Sequence, residues 1–197
     1  MNDHLRTRQD AGDDINVDAQ ALSAPPAGWQ AVPAVRIYVA KGALTVEAAR
    51  LKSGHARREG LGDWTLQIDA APAQSSARGA GGRLARREFD WDRKISIQLQ
   101  PDELLEWVAV LVGWQPEMKL AFHGTDSNKR LTLRAQEQGL YFDIRHGEQG
   151  VAAPASAAHR SALALQAAKV LKLNHVGLDA SEILSVLRAS RRLVQAP

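Results

Sequence analysis

A chain of 197 residues, 45% hydrophobic and 24% charged, is long enough to bury one sizeable core, which points to one domain with appendages or to a duplicated unit. The absence of cysteine excludes a disulfide scaffold, a thiolate metal site and a cysteine nucleophile, and suits a reducing compartment. The formal charge of +3 is unevenly spread: residues 1 to 33 hold five aspartates against two arginines, which leaves residues 34 to 197 at about +6, with 23 basic against 17 acidic side chains.

Residues 1 to 33 are rich in Ala, Asp, Gln and Pro and poor in bulky apolar side chains, a composition that predicts a disordered acidic tail. The opening MNDHLRTRQDAGDD lacks the apolar core of a signal peptide and is too acidic for a transit peptide. No apolar run approaches membrane-spanning length. A soluble, cytoplasmic protein that does not touch membranes is the expectation. The basic body favours polyanions such as nucleic acid, and its alternative reading is a plain solvated surface.

From residue 34 the chain reads as strands followed by a helix. AVRIYVA sets Val35, Ile37 and Val39 against Arg36 and Tyr38, and ALTVEA continues after Lys41-Gly42, as a hairpin or as a bulged pair of strands. A basic connection, KSGHARREGLG, leads to WTLQID, where Trp64, Leu66 and Ile68 alternate with Thr65, Gln67 and Asp69. The small, Gly-rich and basic stretch AAPAQSSARGAGGRLARRE predicts a mobile loop. FDWDRKISIQL, residues 89 to 99, then reads as a fourth strand with Phe89, Trp91, Ile95, Ile97 and Leu99 on one face. Pro101, Asp102 and Glu103 suit the first turn of a helix, Leu104, Leu105, Val108, Leu111 and Val112 form its apolar stripe, and Gly113 is its stop.

The second half repeats this order. MKLAFHG, KRLTLRAQ and LYFDIRHG alternate as three strands, with Met118, Leu120 and Phe122 sharing the core face of the first; a fourth strand is placed around Val151, where GVAAPAS lacks bulky residues. A helix from about Ala157 to Asn174 follows, and Asp179 with Glu182 makes a capping box for a last short helix. The predicted fold class is α+β, a duplicated ββββα unit. Residues 1–33 form the tail, 34–176 the binding domain and 177–197 a C-terminal helical extension.

Catalytic patterns are weak. The six histidines are scattered, with no HExxH, no GxSxG elbow and no phosphate loop. Pro101-Asp102 upstream of Glu117-Met118-Lys119 imitates the order of a metal-dependent nuclease, but Asp102 opens a helix where that chemistry needs it beside a strand pair. No enzyme, cofactor or metal is expected.

Two stretches carry a resemblance. Tyr38, Lys41, Ala43, Leu44, Thr45 and Val46, followed by Phe89, Asp90, Trp91, Arg93 and Lys94 ahead of a helix, are similar to two motifs of the Whirly family of single-stranded-DNA-binding proteins. Val39 and Ala40 stand where that family has Lys-Gly, and Gly42 where it has Ala. The resemblance spans roughly residues 34 to 176. It implies two packed antiparallel four-stranded sheets, helices that join four protomers, and single-stranded DNA along sheet edges between neighbours. It also implies work in DNA protection, repair, recombination or transcription; a related double-sheet fold binds RNA.

On this reading Tyr38, Trp64, Trp91 and Tyr141 are candidate stacking platforms, and Arg36, Lys52, Arg87, Arg93, Lys94, Arg130 and Arg134 candidate phosphate contacts. Trp64 and Trp91 share a face with core-type residues, so burial is their competing reading. The stripes Leu104, Trp107, Val108, Leu111, Val112 and Leu163, Leu165, Val170, Leu171, Leu173 exceed a single helix face, which implies a partner copy, and the resemblance implies that this is a homotetramer, joined through Leu104, Val108, Leu111, Leu163, Val170 and Leu171. Lys41 lies in the element that family members use to join tetramers, although its neighbours are altered. The partner is single-stranded DNA, or RNA bound by the same fold; an oligomeric adaptor for an acidic protein is the reading from a different class.

Overall fold

The computed structural model describes residues 32–51, 62–74, 88–124 and 126–194. Residues 1–31 of the acidic tail and residues 52–61 and 75–87 of the two basic connections, and with them Lys52 and Arg87, lie outside the described residues. Strands β1 (Val35–Val39), β2 (Gly42–Arg50), β3 (Trp64–Pro72) and β4 (Ile95–Gln98) form one antiparallel sheet in sequence order. After helix α1 (Pro101–Leu111), strands β5 (Glu117–His123), β6 (Lys129–Gln136), β7 (Gly139–His146) and β8 (Gln149–Ser156) form a second sheet of the same design. Helices α2 (Ala157–Asn174) and α3 (Ala180–Val194) close the chain. The duplicated order is thus real, and β1–β2 is a hairpin that turns at Ala40-Lys41.

Period-two alternation decides which face each strand buries. Ile37, Leu44, Val46, Leu66, Ile68, Ile95 and Ile97 of the first sheet and Met118, Leu131, Leu133, Leu140, Phe142, Ile144 and Val151 of the second belong to one continuous core. Burial of each such large side chain contributes about 1.5–3 kcal/mol relative to exposure. Strand β8 lies across β1, β2 and β3. Its inward residues Val151, Ala153 and Ala155 are small because the two sheets meet there. At Gly42 a β-carbon would sit 2.6 Å from Val151 Cγ1 and 2.9 Å from the Ala71 carbonyl oxygen. The glycine that departs from the Whirly-like motif is therefore what lets the second sheet approach.

The helices end where the sequence signals them. Pro101 opens α1, Glu103 Oε2 accepts from the Gln100 N–H at 2.7 Å, and Gly113 at φ +80 stops the helix. Asp179 and Glu182 form the expected capping box, with Glu182 N donating to Asp179 Oδ1 at 2.9 Å and Asp179 N to Glu182 Oε2 at 2.8 Å. The helix they open, α3, is 15 residues long and not short.

Two expectations change. The fourth strand starts at Ile95, not Phe89: Phe89 makes only an isolated bridge to Ala73, and residues 91–93 turn. Asp90 Oδ1 accepts from the Arg93 N–H at 3.2 Å, a side-chain bond that competes with a strand ladder. Leu104, Val108, Leu111, Leu163, Val170 and Leu171 are all buried within the protomer, along with Trp107. Helix α1 lies against β3, β5, β6 and α2, so a wide apolar face is covered by the chain's own elements. Among the described residues, the exposed large apolar side chains on α2 and α3 are Leu165 and Val186.

Candidate nucleic-acid interface

The β1–β2 hairpin fixes Tyr38 on the outer face of the first sheet, in register with Ala43, which in turn pairs with Ala71. Tyr38 is 60% exposed and its ring lies 5.7 Å from that of Phe89, tilted by 32°. Phe89 reaches it because the Ala73 bridge and the Asp90 N–H to Pro72 carbonyl bond of 2.9 Å lash the 89–90 segment beside the end of β3. Ala43 and Ala71 are fully buried on an otherwise polar face, which gives the aromatic pair a small-residue floor.

The next residues form a turn that displays Trp91, Asp92, Arg93 and Lys94, all exposed. The turn is held from three sides. Asp90 captures the Arg93 amide, Gln149 Nε2 of the second sheet donates to the Arg93 carbonyl, and Lys94 Nζ pairs with Asp69 Oδ2 at 2.6 Å. Asp69 is on the outer face of β3, its side chain 9% exposed, and its other oxygen accepts from Gln67 Nε2 at 3.2 Å. Lys94 is therefore committed to neutralising a nearly buried carboxylate, whereas the backbone bonds of Arg93 leave its guanidinium outside the turn's own hydrogen bonding.

The other sequence candidates are spread over the surface. Arg36 is exposed on the same outer face as Tyr38, opposite Thr45. Trp64 lies at the far end of β2 and β3, paired with Arg50, eight positions or about 26 Å of strand from the Gly42–Pro72 end. Its ring packs under the Arg50 guanidinium at 5.1 Å, and its N–H and carbonyl are held by Asn174 Oδ1 and Nδ2 at 2.8 and 2.7 Å. Trp64 anchors the end of α2 to the sheet. It is not part of the Tyr38 cluster.

Tyr141, Arg134 and Arg130 are on the outer face of the second sheet, where Arg134 pairs with Tyr141 and Arg130 with Arg145. Two arginines directly opposite one another repel, and Arg145 is relieved by a forked contact to Asp143 at 3.1 and 3.2 Å. Arg134 Nε lies 3.3 Å from Glu117 Oε2. The Lys119 ammonium at 2.6 Å, followed by Arg134, holds the Glu117 carboxyl below the usual carboxylate range.

Sequence reasoning missed Phe89 as the partner of Tyr38, Asp69 as the partner of Lys94, and Phe122. Phe122 was expected in the core; it is 80% exposed, because the β5–β6 register shifts between Leu120 and His123. His123 Nε2, brought inward by that bulge, lies 2.7 Å from Glu103 Oε1.

Two crossed antiparallel sheets, each a four-stranded meander followed by a helix, define a class of duplicated ββββα proteins whose outer sheet faces are polar. The particular fold is Whirly-like. No family model matches the chain, and no curated protein matches it. Among solved structures it is similar to the plant transcriptional regulator PBF-2, at 18% identity and a TM-score of 0.51, over 86% of this chain and 99% of that one. Weaker likenesses are WHY1 from Arabidopsis thaliana, at 18% identity, TM-score 0.48, 84% of this chain and 95% of that one, and trypanosoma bruciei MRP1/MRP2, at 15%, 0.45, 73% and 94%.

Proposed function

We propose that the protein is a non-catalytic binder of single-stranded DNA that reads backbone and base faces, not sequence. The observation that carries this reading is the exposed Tyr38 ring, braced by Phe89 beside the turn that presents Trp91 and Arg93. An exposed aromatic platform with a cation near it stacks a base and neutralises a phosphate, and neither contact depends on base identity. Arg36 on the same face extends the cationic path. A homotetramer agrees with the resemblance, and the exposed Leu165 and Val186 offer apolar surface for it. Such a protein serves DNA protection, repair, recombination or transcription.

The test is fluorescence anisotropy with one short oligonucleotide presented as single-stranded DNA, duplex DNA and RNA at low salt. Single-stranded DNA should bind tighter than duplex, and Tyr38→Ala should weaken it about fivefold or more, the value of one lost stack. Stronger RNA binding would transfer the reading to RNA. Absence of binding to all three would overturn it in favour of an adaptor for an acidic protein.

A further inference from the structure

Between the edge strand β4 and the end of β5 lies a groove of about 570 Å³, within the range of ligand clefts. Phe122 lines it, and three of its properties fail to make sense as stabilisation. Its ring is 80% exposed, so little apolar burial holds it in place. Its φ of 64° is a left-handed conformation in which a bulky residue is strained and glycine is not. The bulge that rotates it outward breaks the β5–β6 register, a device often found where a side chain is re-aimed toward a site.

The opposite features surround it. His123 is held by Glu103, and Lys129 crosses from β6 to donate to the Ser96 carbonyl of β4 at 3.1 Å. Lys129 thereby fills a ladder position on that edge, which disfavours an extended peptide as the occupant. An ammonium has three donors and Ser96 takes one, so a cation stands on the wall of a groove whose lip is an aromatic face.

We infer that this groove is a nucleobase pocket, with Phe122 as its stacking platform and Lys129 as the hydrogen-bond donor to the base edge or its phosphate. The inference rests on the reading that the chain binds single-stranded nucleic acid. It adds a site on the β4–β5 side of the protomer, distinct from the Tyr38 corner.

The experiment uses the full chain and a labelled single-stranded DNA oligonucleotide, with Phe122→Gly, Phe122→Tyr and Tyr38→Ala compared by anisotropy and thermal melting. Phe122→Gly removes the ring and the left-handed strain together. It should melt at the same or a higher temperature while binding about fivefold or more weaker, and Phe122→Tyr should bind like the parent. Oligonucleotides with one base deleted to an abasic sugar should lose affinity for the parent, and one of these losses should vanish in Phe122→Gly. A lower melting temperature for Phe122→Gly would make the ring structural and overturn the assignment. Unchanged binding by Phe122→Gly alongside weakened Tyr38→Ala would also overturn it while leaving the proposed function intact. Failure of the parent itself to bind would overturn both.

Discussion

Val151 of β8 occupies the space that a β-carbon on Gly42 would need, with 2.6 Å between that position and Val151 Cγ1. Gly42→Ala should therefore destabilise by about 1–3 kcal/mol, the usual range for overpacking a tight core. Val151→Ala in the same chain should recover part of the loss. Equilibrium urea unfolding of the three variants checks this, and additive losses in the double variant would show that the two residues do not compete.

The ion pair between Lys94 and Asp69 gives a second expectation. Lys94→Met leaves the nearly buried Asp69 carboxylate with only Gln67, and the cost is about 1–2 kcal/mol once the 40% exposure of the ammonium is allowed for. Adding Asp69→Asn should restore stability. If Lys94 acts on binding by holding the turn, Asp69→Asn alone, which breaks the same ion pair but keeps the ammonium, should weaken oligonucleotide binding as Lys94→Met does; a loss confined to Lys94→Met would mean that the ammonium touches phosphate.

Arg93 is the cleaner probe of backbone contact. Affinity of the parent should fall about tenfold or more between low and physiological salt if several phosphates are neutralised. Arg93→Ala should lower affinity for all sequences alike and flatten the slope of log K against log salt by about one contact. Titrations at several salt concentrations measure this, and an unaltered slope would remove Arg93 from the phosphate path.

The acidic N-terminal segment should compete with nucleic acid for the basic body. Deletion is best placed after Ala31, because the Pro33 carbonyl accepts from the buried Gln166 side chain at 2.9 Å. The truncated chain should fold as the parent does and bind single-stranded DNA equally or more tightly, with the gain largest at low salt. Weaker binding after truncation would give the segment a direct role.

The N-cap of α3 carries a pH dependence. Asp179 has its carboxyl held below the usual range, chiefly by the Glu182 N–H and then by Ser181. A depressed carboxylate contributes fully above the ordinary aspartate pKa of about 3.9 and loses that contribution as pH falls through the lower folded value. The first-turn amides of α3 should lose protection in that acid window before the sheets unfold. In Asp179→Ala they should be unprotected already at neutral pH, as hydrogen exchange would register.

Much of this architecture can be read from letters because half-buried strands alternate and helices announce their ends. Pro101, Gly113, Asp179 and Glu182 mark termini by chemistry that does not depend on tertiary context. The strand at GVAAPAS was harder to see: its residues are small where the sheets meet, so the bulky half of the alternation is missing. The aromatic corner misleads for the reverse reason. Phe89 and Trp91 alternate as a strand would, yet Asp90 diverts the backbone by taking the Arg93 amide. Phe122 is likewise in phase with Met118 and Leu120 until a bulge shifts it, and nothing in MKLAFHG specifies the bulge. The apolar helix positions were legible as apolar. Which surface covers them depends on how α1 is enclosed, a long-range property that periodicity does not contain.

In both sheets the spatial order of strands is their order along the chain, so every ladder joins sequence neighbours. The second meander links β6 to β7 and β7 to β8 through two residues each, Glu137-Gln138 and Gly147-Glu148, while long connections separate β2, β3 and β4 in the first. Closing short loops loses less chain entropy and brings ordering sooner. The C-terminal half should thus be the earlier of the two to acquire protected amides in a pulse-labelled refolding experiment. On a ribosome the half made last would then be the half that folds readily, and the first sheet would wait, partly formed, for Val151 to arrive against Gly42.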